Sequence, residues 1–243
     1  KKIRSIIGCQ IDSPENPSEY VILLARNNKG YSELCKIITS RKLNDDFSLI
    51  NLLENKLENF FILTPSIELV KDLEKRDNLY VELIAAKNEK KNNRNKYQFA
   101  QEKGLQFVVT NPIYFLDEKD FLLHKTLTAI RLKTTIDNLQ PEDLADDEFY
   151  FKDPIIIDHQ WKNLPQALEN SNEIARRCKV DLKFGKYKFP VYSTPENVSA
   201  DTMLWNESFK GLEKRFHHVT DSAIKRLEME LSVISEMGFS NYF

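Results

Sequence analysis

Four imidazoles are available for metal binding or proton transfer: His124, His159, His217 and His218. His217 and His218 are adjacent on a helical segment, where neighbours point about 100° apart, so they cannot close on one metal from one face. His124 falls inside an apolar-periodic helix. All four read as structural or exposed rather than as ligands. Asp146, Asp147 and Glu148 could offer oxygens to a hard cation, but an acidic run of this kind reads first as a solvated loop. Cys9, Cys35 and Cys178 are odd in number and far apart, which suggests neither a disulfide framework nor a zinc site. No HExxH, GxSxG, P-loop or GxGxxG pattern occurs. The reactive residues alone lead no further than an α/β domain.

The elements that would position them are easier to read. Strands are predicted over Ile3 to Ile11, Tyr20 to Ala25, Phe60 to Thr64, Leu79 to Ile84 and Gln106 to Thr110, each a β-branched or apolar run. Helices are predicted between them. One opens at Gly30-Tyr31, one is capped by Ser66, and one runs from Asn88 to Lys103. A further helix, Asp117 to Arg131, would turn Phe121, Leu122, Leu127 and Ile130 inward. Strands alternating with helices imply parallel pairing. Such folds place chemistry at the carboxyl ends of the strands, here Gln10, Ala85-Ala86 and Asn111 to Tyr114. Thr134 to Pro154 reads as an exposed connection. Leu164 to Lys179 is an amphipathic helix, Lys183 to Pro195 an extended linker, and Ala200 to His217 and Ser222 to Met237 two more helices. The Lys- and Asn-rich stretch from Lys87 to Lys96 reads as a solvated helix face.

Of 243 residues, 41% are hydrophobic and 30% charged, with a formal net charge of −2. That balance suits a globular protein large enough for a core. It argues against a domain whose main task is gripping phosphates. No apolar run reaches the length of a membrane span, and the start, Lys1-Lys2-Ile3-Arg4, lacks a signal-peptide core. The cysteine usage fits a reducing cytoplasm. The chain opens without Met and closes on the aromatic segment Gly238 to Phe243, so it is expected to continue at both ends and, taken alone, to be prone to aggregate.

Seven segments, in order, resemble the alpha subunit of bacterial DNA polymerase III, a C-family polymerase. They are Ile6-Ile7-Gly8-Cys9-Gln10, Leu23 to Leu34 (LLARNNKGYSEL), Val108 to Asp120 (VVTNPIYFLDEKD), Phe149 to Lys152, Pro165 to Asp181 (PQALENSNEIARRCKVD), Gly185 to Pro190 and Arg226 to Phe243 (RLEMELSVISEMGFSNYF). Each is weak alone. Together they cover nearly the whole chain.

The resemblance implies a PHP domain, a partial, distorted β/α barrel, over 1–182, a linker over 183–199, and the helical start of the polymerase palm over 200–243. Metal-binding PHP domains hold a cluster with His, Asp and Glu, and some act as 3′–5′ exonucleases. Here the family's ligand positions fall on Gln10, Tyr20, Ala86, Pro112 and Tyr114. Ala and Pro have no donor atom, Gln is a poor metal ligand, and Tyr offers a phenolate only at high pH. A metal-free scaffold is therefore expected, with no catalytic residue in this segment. The parent would be a DNA-directed DNA polymerase using Mg2+. Its implied partners are the rest of the polymerase chain, a proofreading exonuclease, the sliding clamp and primer-template DNA. Two rival readings are a metal-dependent PHP exonuclease or phosphoesterase, and a non-enzymatic α/β binding module.

Overall fold

The computed structural model describes residues 3–73, 75–182, 184–185 and 189–243. The chain divides into two units, Lys1–Leu182 and Lys183–Phe243.

The first unit is built on one five-stranded sheet in the order β1-β2-β3-β4-β5: Gly8–Asp12, Tyr20–Ala25, Phe60–Thr64, Leu79–Ile84 and Gln106–Thr110. Four of these strands follow the apolar runs in the sequence. The first begins later than predicted, because the chain before Gly8 forms no ladder. Pairing is mixed. β3, β4 and β5 are parallel, but β1 and β2, and likewise β2 and β3, are antiparallel. This corrects the expectation of parallel pairing throughout. The link from Ser13 to Glu19 is too short for a crossover, which needs a dozen or more residues. Between β2 and β3 lie α1 (Asn28–Leu43) and α2 (Leu49–Glu54), and they bring the chain back to the end of the sheet it left, where Ala25 pairs with Phe60.

α1 starts where the side chain of Asn27 accepts the Gly30 N–H at 2.9 Å, meeting an orphan donor of the first turn. Gly30 is required there: a Cβ would lie 2.4 Å from the Asn59 carbonyl oxygen. A short helix α3 (Ile67–Val70) is capped by Ser66, and α4 (Lys90–Lys103) ends on Gly104 at φ 62°, in the left-handed region that favours glycine.

Alternation sorts the strands into two faces. One face buries Ile11, Val21, Leu23, Phe60, Ile62, Leu79, Val81, Leu83, Phe107 and Val109 in the main core, against residues such as Leu34, Leu53, Leu69 and Ala100 of the helices. The other holds Ile22, Leu24, Phe61, Leu63, Tyr80 and Val108 with Ile174 and Cys178. These last two come from the end of α7 (Pro165–Arg177), which follows α5 (Phe121–Leu132) and α6 (Pro154–Trp161). α7 also covers the outer edge of β5: Asn170 donates to the Phe107 carbonyl at 2.7 Å and the Ser171 hydroxyl to that of Val109 at 3.1 Å. An edge strand's free carbonyls are thereby satisfied by side chains. Among the described residues the sheet is open.

Two further expectations need correction. In α5 the buried residues are Thr128 and Ala129, while Leu122, Leu127 and Ile130 are exposed. Periodicity marks an apolar stripe without saying which side meets the rest of the protein. The segment Thr134 to Pro154 is not simply an exposed connection, since Lys152 is only 4% exposed. The helix α6 follows it, capped by Asp153 with Pro154 in the first turn.

In the second unit, α8 (Ala200–Arg215) and α9 (Asp221–Glu236) are capped by Ser199 and Thr220. Asp201 accepts hydrogen bonds from Ser235 and Ser240, and these hold its carboxyl below the usual range. Phe189 packs against Phe239 and Tyr242. Of the predicted linker, Lys183 and residues 186–188 lie outside the described residues.

Candidate functional site

The carboxyl ends of β1, β3, β4 and β5 and the start of β2 lie at one end of the sheet, as the register dictates: Asp12 opposite Tyr20, Thr64 beside Val81, Ile84 beside Thr110. The five positions that the resemblance implies as ligand sites all belong to this end. Gln10 is exposed on β1 opposite Ile22, and Tyr20 opens β2. Ala86 is buried just past β4, and Pro112 and Tyr114 follow β5. Of the five, Ala86 and Pro112 carry no donor atom.

Two polar clusters occupy this end, and the sequence reading named neither as a site. The first is centred on Glu82, whose place in the run LYVELI puts it on the same face as Tyr80 and Ile84. Glu82 is 1% exposed. Its Oε1 accepts the Thr110 hydroxyl at 2.7 Å and its Oε2 the Tyr20 hydroxyl at 3.3 Å. Burial pushes the Glu82 carboxyl up, and the hydrogen bond from Thr110, the Lys96 ammonium and the Tyr20 hydroxyl only partly oppose it. Burial, followed by the negative charge of Glu82, likewise raises the Tyr20 phenol. Tyr20 is thus held as a hydrogen-bond donor, not a phenolate.

The second cluster is centred on Lys152. Its ammonium donates to the carbonyls of Ala85 at 2.8 Å and Glu148 at 2.5 Å, and to Asn111 Oδ1 at 3.2 Å. The Glu148 carboxylate lies 3.9 Å away. Burial lowers the Lys152 ammonium, with Glu148 and Asp146 working against it. Burial would raise Glu148, but the side chain and backbone N–H of Lys87, with Lys152, outweigh it and hold the carboxyl low. Asn111 in turn donates to the Tyr150 carbonyl at 3.0 Å. Lys152 therefore straps the 146–152 segment onto the ends of β4 and β5.

His124 is not in either cluster. Its Nε2 accepts the Ala145 N–H at 3.0 Å, and its ring packs against Tyr114, Phe115 and Phe121. Burial and Arg131 lower its pKa, as suits an imidazole used as an acceptor. Of the acidic run, Asp146 accepts from Asn88 and Glu148 pairs with Lys87. Among the described residues no three His, Cys, Asp or Glu side chains are grouped so as to hold a metal. Nor does any buried side-chain nitrogen or oxygen lack a hydrogen-bond partner.

Comparison with known proteins adds what the geometry cannot. A DNA polymerase III subunit alpha from Pseudomonas aeruginosa is 34% identical over 147 residues, 56% of this chain and 12% of that protein. The protein of the same name from Buchnera aphidicola is 28% identical over 233 residues, 92% of this chain and 18% of the relative. The chain is similar to a segment of DNA polymerase III subunit alpha. An error-prone DNA polymerase from Symbiobacterium thermophilum is also similar, 30% identical over 151 residues. The chain thus spans less than a fifth of the length of these curated relatives. No family model matches it. No helix among the described residues is long and apolar enough to cross a membrane.

Proposed function

We propose that this chain is the PHP-like portion, with the entry to the palm, of a DNA-directed DNA polymerase of the polymerase III alpha type. Its role there is that of a scaffold that has given up the family's metal site. The observation that carries this reading is the filling of the carboxyl end of the sheet. Ala86 and Pro112 bring no donor, Gln10 brings a neutral amide and Tyr20 a protonated phenol. The buried carboxylate at this end, Glu82, is already taken by Thr110 and Tyr20. A multi-metal centre concentrates positive charge and needs several anionic ligands or neutral imidazoles, and this donor set does not fit one.

On this reading nucleotidyl transfer, with the Mg2+ it requires, belongs to other parts of the polymerase. The scaffold supports the palm and docks the separate proofreading exonuclease, in the cytoplasm, within an assembly that also holds the sliding clamp and primer-template DNA. The test is to assay the full-length protein for primer extension and, without any exonuclease subunit, for removal of a 3′-terminal nucleotide. Extension without intrinsic 3′–5′ removal is expected. Metal-dependent removal that is abolished by Gln10→Ala or Tyr114→Phe would establish the rival enzymatic reading and overturn this one.

A further inference from the structure

The stretch from Lys87 to Lys96 reads in sequence as a solvated face, yet one side of α4 faces a cleft. Lys90, Asn93, Arg94 and Tyr97, spaced three and four residues apart, are successive positions on one helical face. They line a cleft of about 520 Å³ whose opposite wall is His159, Gln160, Trp161 and Leu164, from α6 and the turn after it. Leu83, Ala85 and Ala86, at the end of β4, complete the lining. The volume falls within the roughly 300–1,000 Å³ of small-molecule sites.

The α4 wall brings Lys90, Arg94 and Tyr97, the opposite wall His159, Gln160, Trp161 and Leu164, and no acidic residue lines the cleft. Lys87 is compensated by Glu148 at 2.5 Å. Lys90, Arg94 and His159 have no acidic partner within ion-pair distance among the described residues. Asn93 is buried, but its amide is spent on both backbone groups of Ile84, so it supports the wall rather than offering a free contact. Tyr97 and Trp161 each bury part of their rings in the core and line the cleft. Two uncompensated cations, Lys90 and Arg94, and the His159 imidazole beside two aromatic rings match a ligand carrying phosphate and a flat, stackable group.

We propose that this cleft binds a nucleotide. The phosphate sits among Lys90, Arg94 and His159, and the base lies against Tyr97 or Trp161. The proposal shares Ala86 with the scaffold reading above but needs neither a metal nor the absence of one.

Photolabelling of the full-length protein with an azido-substituted deoxyadenosine monophosphate tests it, and mapping by mass spectrometry separates this cleft from any other nucleotide site. Label is expected on peptides containing Tyr97 or Trp161, displaced by deoxyadenosine monophosphate. Arg94→Glu or Lys90→Glu is expected to reduce it about tenfold or more, the scale of losing a charged hydrogen bond. Lys91→Glu makes the same charge change off the cleft and should leave labelling intact, which separates loss of the site from misfolding. Label confined to other peptides, or insensitive to Arg94→Glu, overturns the proposal. Displacement by inorganic phosphate as effective as by the nucleotide would show a bare anion site and overturn it too, as would equal displacement by deoxyadenosine.

Discussion

Thr110, the last residue of β5, donates its hydroxyl to Glu82 Oε1 at 2.7 Å, so a fully buried carboxylate on β4 is held by the neighbouring strand. Tyr20 takes the second oxygen from across the sheet. Three strands thus meet through one acid at the end where the family resemblance would put metal-ligand positions. This internal satisfaction suits a structural role: the acid ties the sheet together instead of waiting for a ligand.

Glu82 makes stability pH-dependent in a definite sense. Burial raises its folded-state pKa above the ordinary 4.5, so the neutral form is the one the fold prefers. Its contribution is fully present below the unfolded pKa and is lost as pH rises through the raised folded value. Glu82→Gln removes this titration while keeping an acceptor for Thr110. Thermal melts of the variant and the parent should diverge in favour of the variant between pH 4.5 and neutrality. A gap that stays constant with pH would mean that Glu82 does not titrate on unfolding.

Lys152 is a buried cation with three oxygen acceptors. Lys152→Met keeps most of the volume but strands the Ala85 and Glu148 carbonyls, which costs about 1–3 kcal/mol. Denaturant unfolding measures the loss. Hydrogen exchange in residues 146–152 should quicken as the strap loosens, while exchange in β3 should change far less.

Gly30 is pressed against the Asn59 carbonyl, where an added Cβ would sit at 2.4 Å. Backbone cannot yield as a side-chain tip can, so Gly30→Ala should destabilise by about 1–3 kcal/mol, the usual range for overpacking. The midpoint of urea unfolding should fall accordingly. An unchanged midpoint would show that α1 can shift away from β3 at no cost.

The sheet was legible where hydrophobic runs were long. YVILLA, FFILT, LYVELI and QFVVT became β2 to β5 with the boundaries read from sequence. Direction was not legible, because two antiparallel neighbours can still be joined by helices, as β2 and β3 are. Helix α6 was missed although Asp153 followed by Pro154 is a cap signal, since the short run IIIDHQW lacks helical periodicity. The stripe on α5 was visible, but what faces it depends on tertiary placement. Glu82 and Lys152 were hidden for opposite reasons. One acid inside LYVELI resembles an outward residue of a half-exposed strand, and one lysine in a polar stretch resembles surface. Both are recognised only when burial and partners are known. The ligand positions Gln10, Tyr20, Ala86, Pro112 and Tyr114 came from family resemblance, and the register brings them to one end of the sheet.

The most direct test of the scaffold account is the metal content of the purified full-length protein, by mass spectrometry after exchange into chelator-free buffer. The account predicts zinc, manganese and iron well below one equivalent, and no change on Glu82→Gln. One or more equivalents of tightly held metal, released by Glu82→Gln or by substitutions at Gln10 and Tyr114, would contradict it.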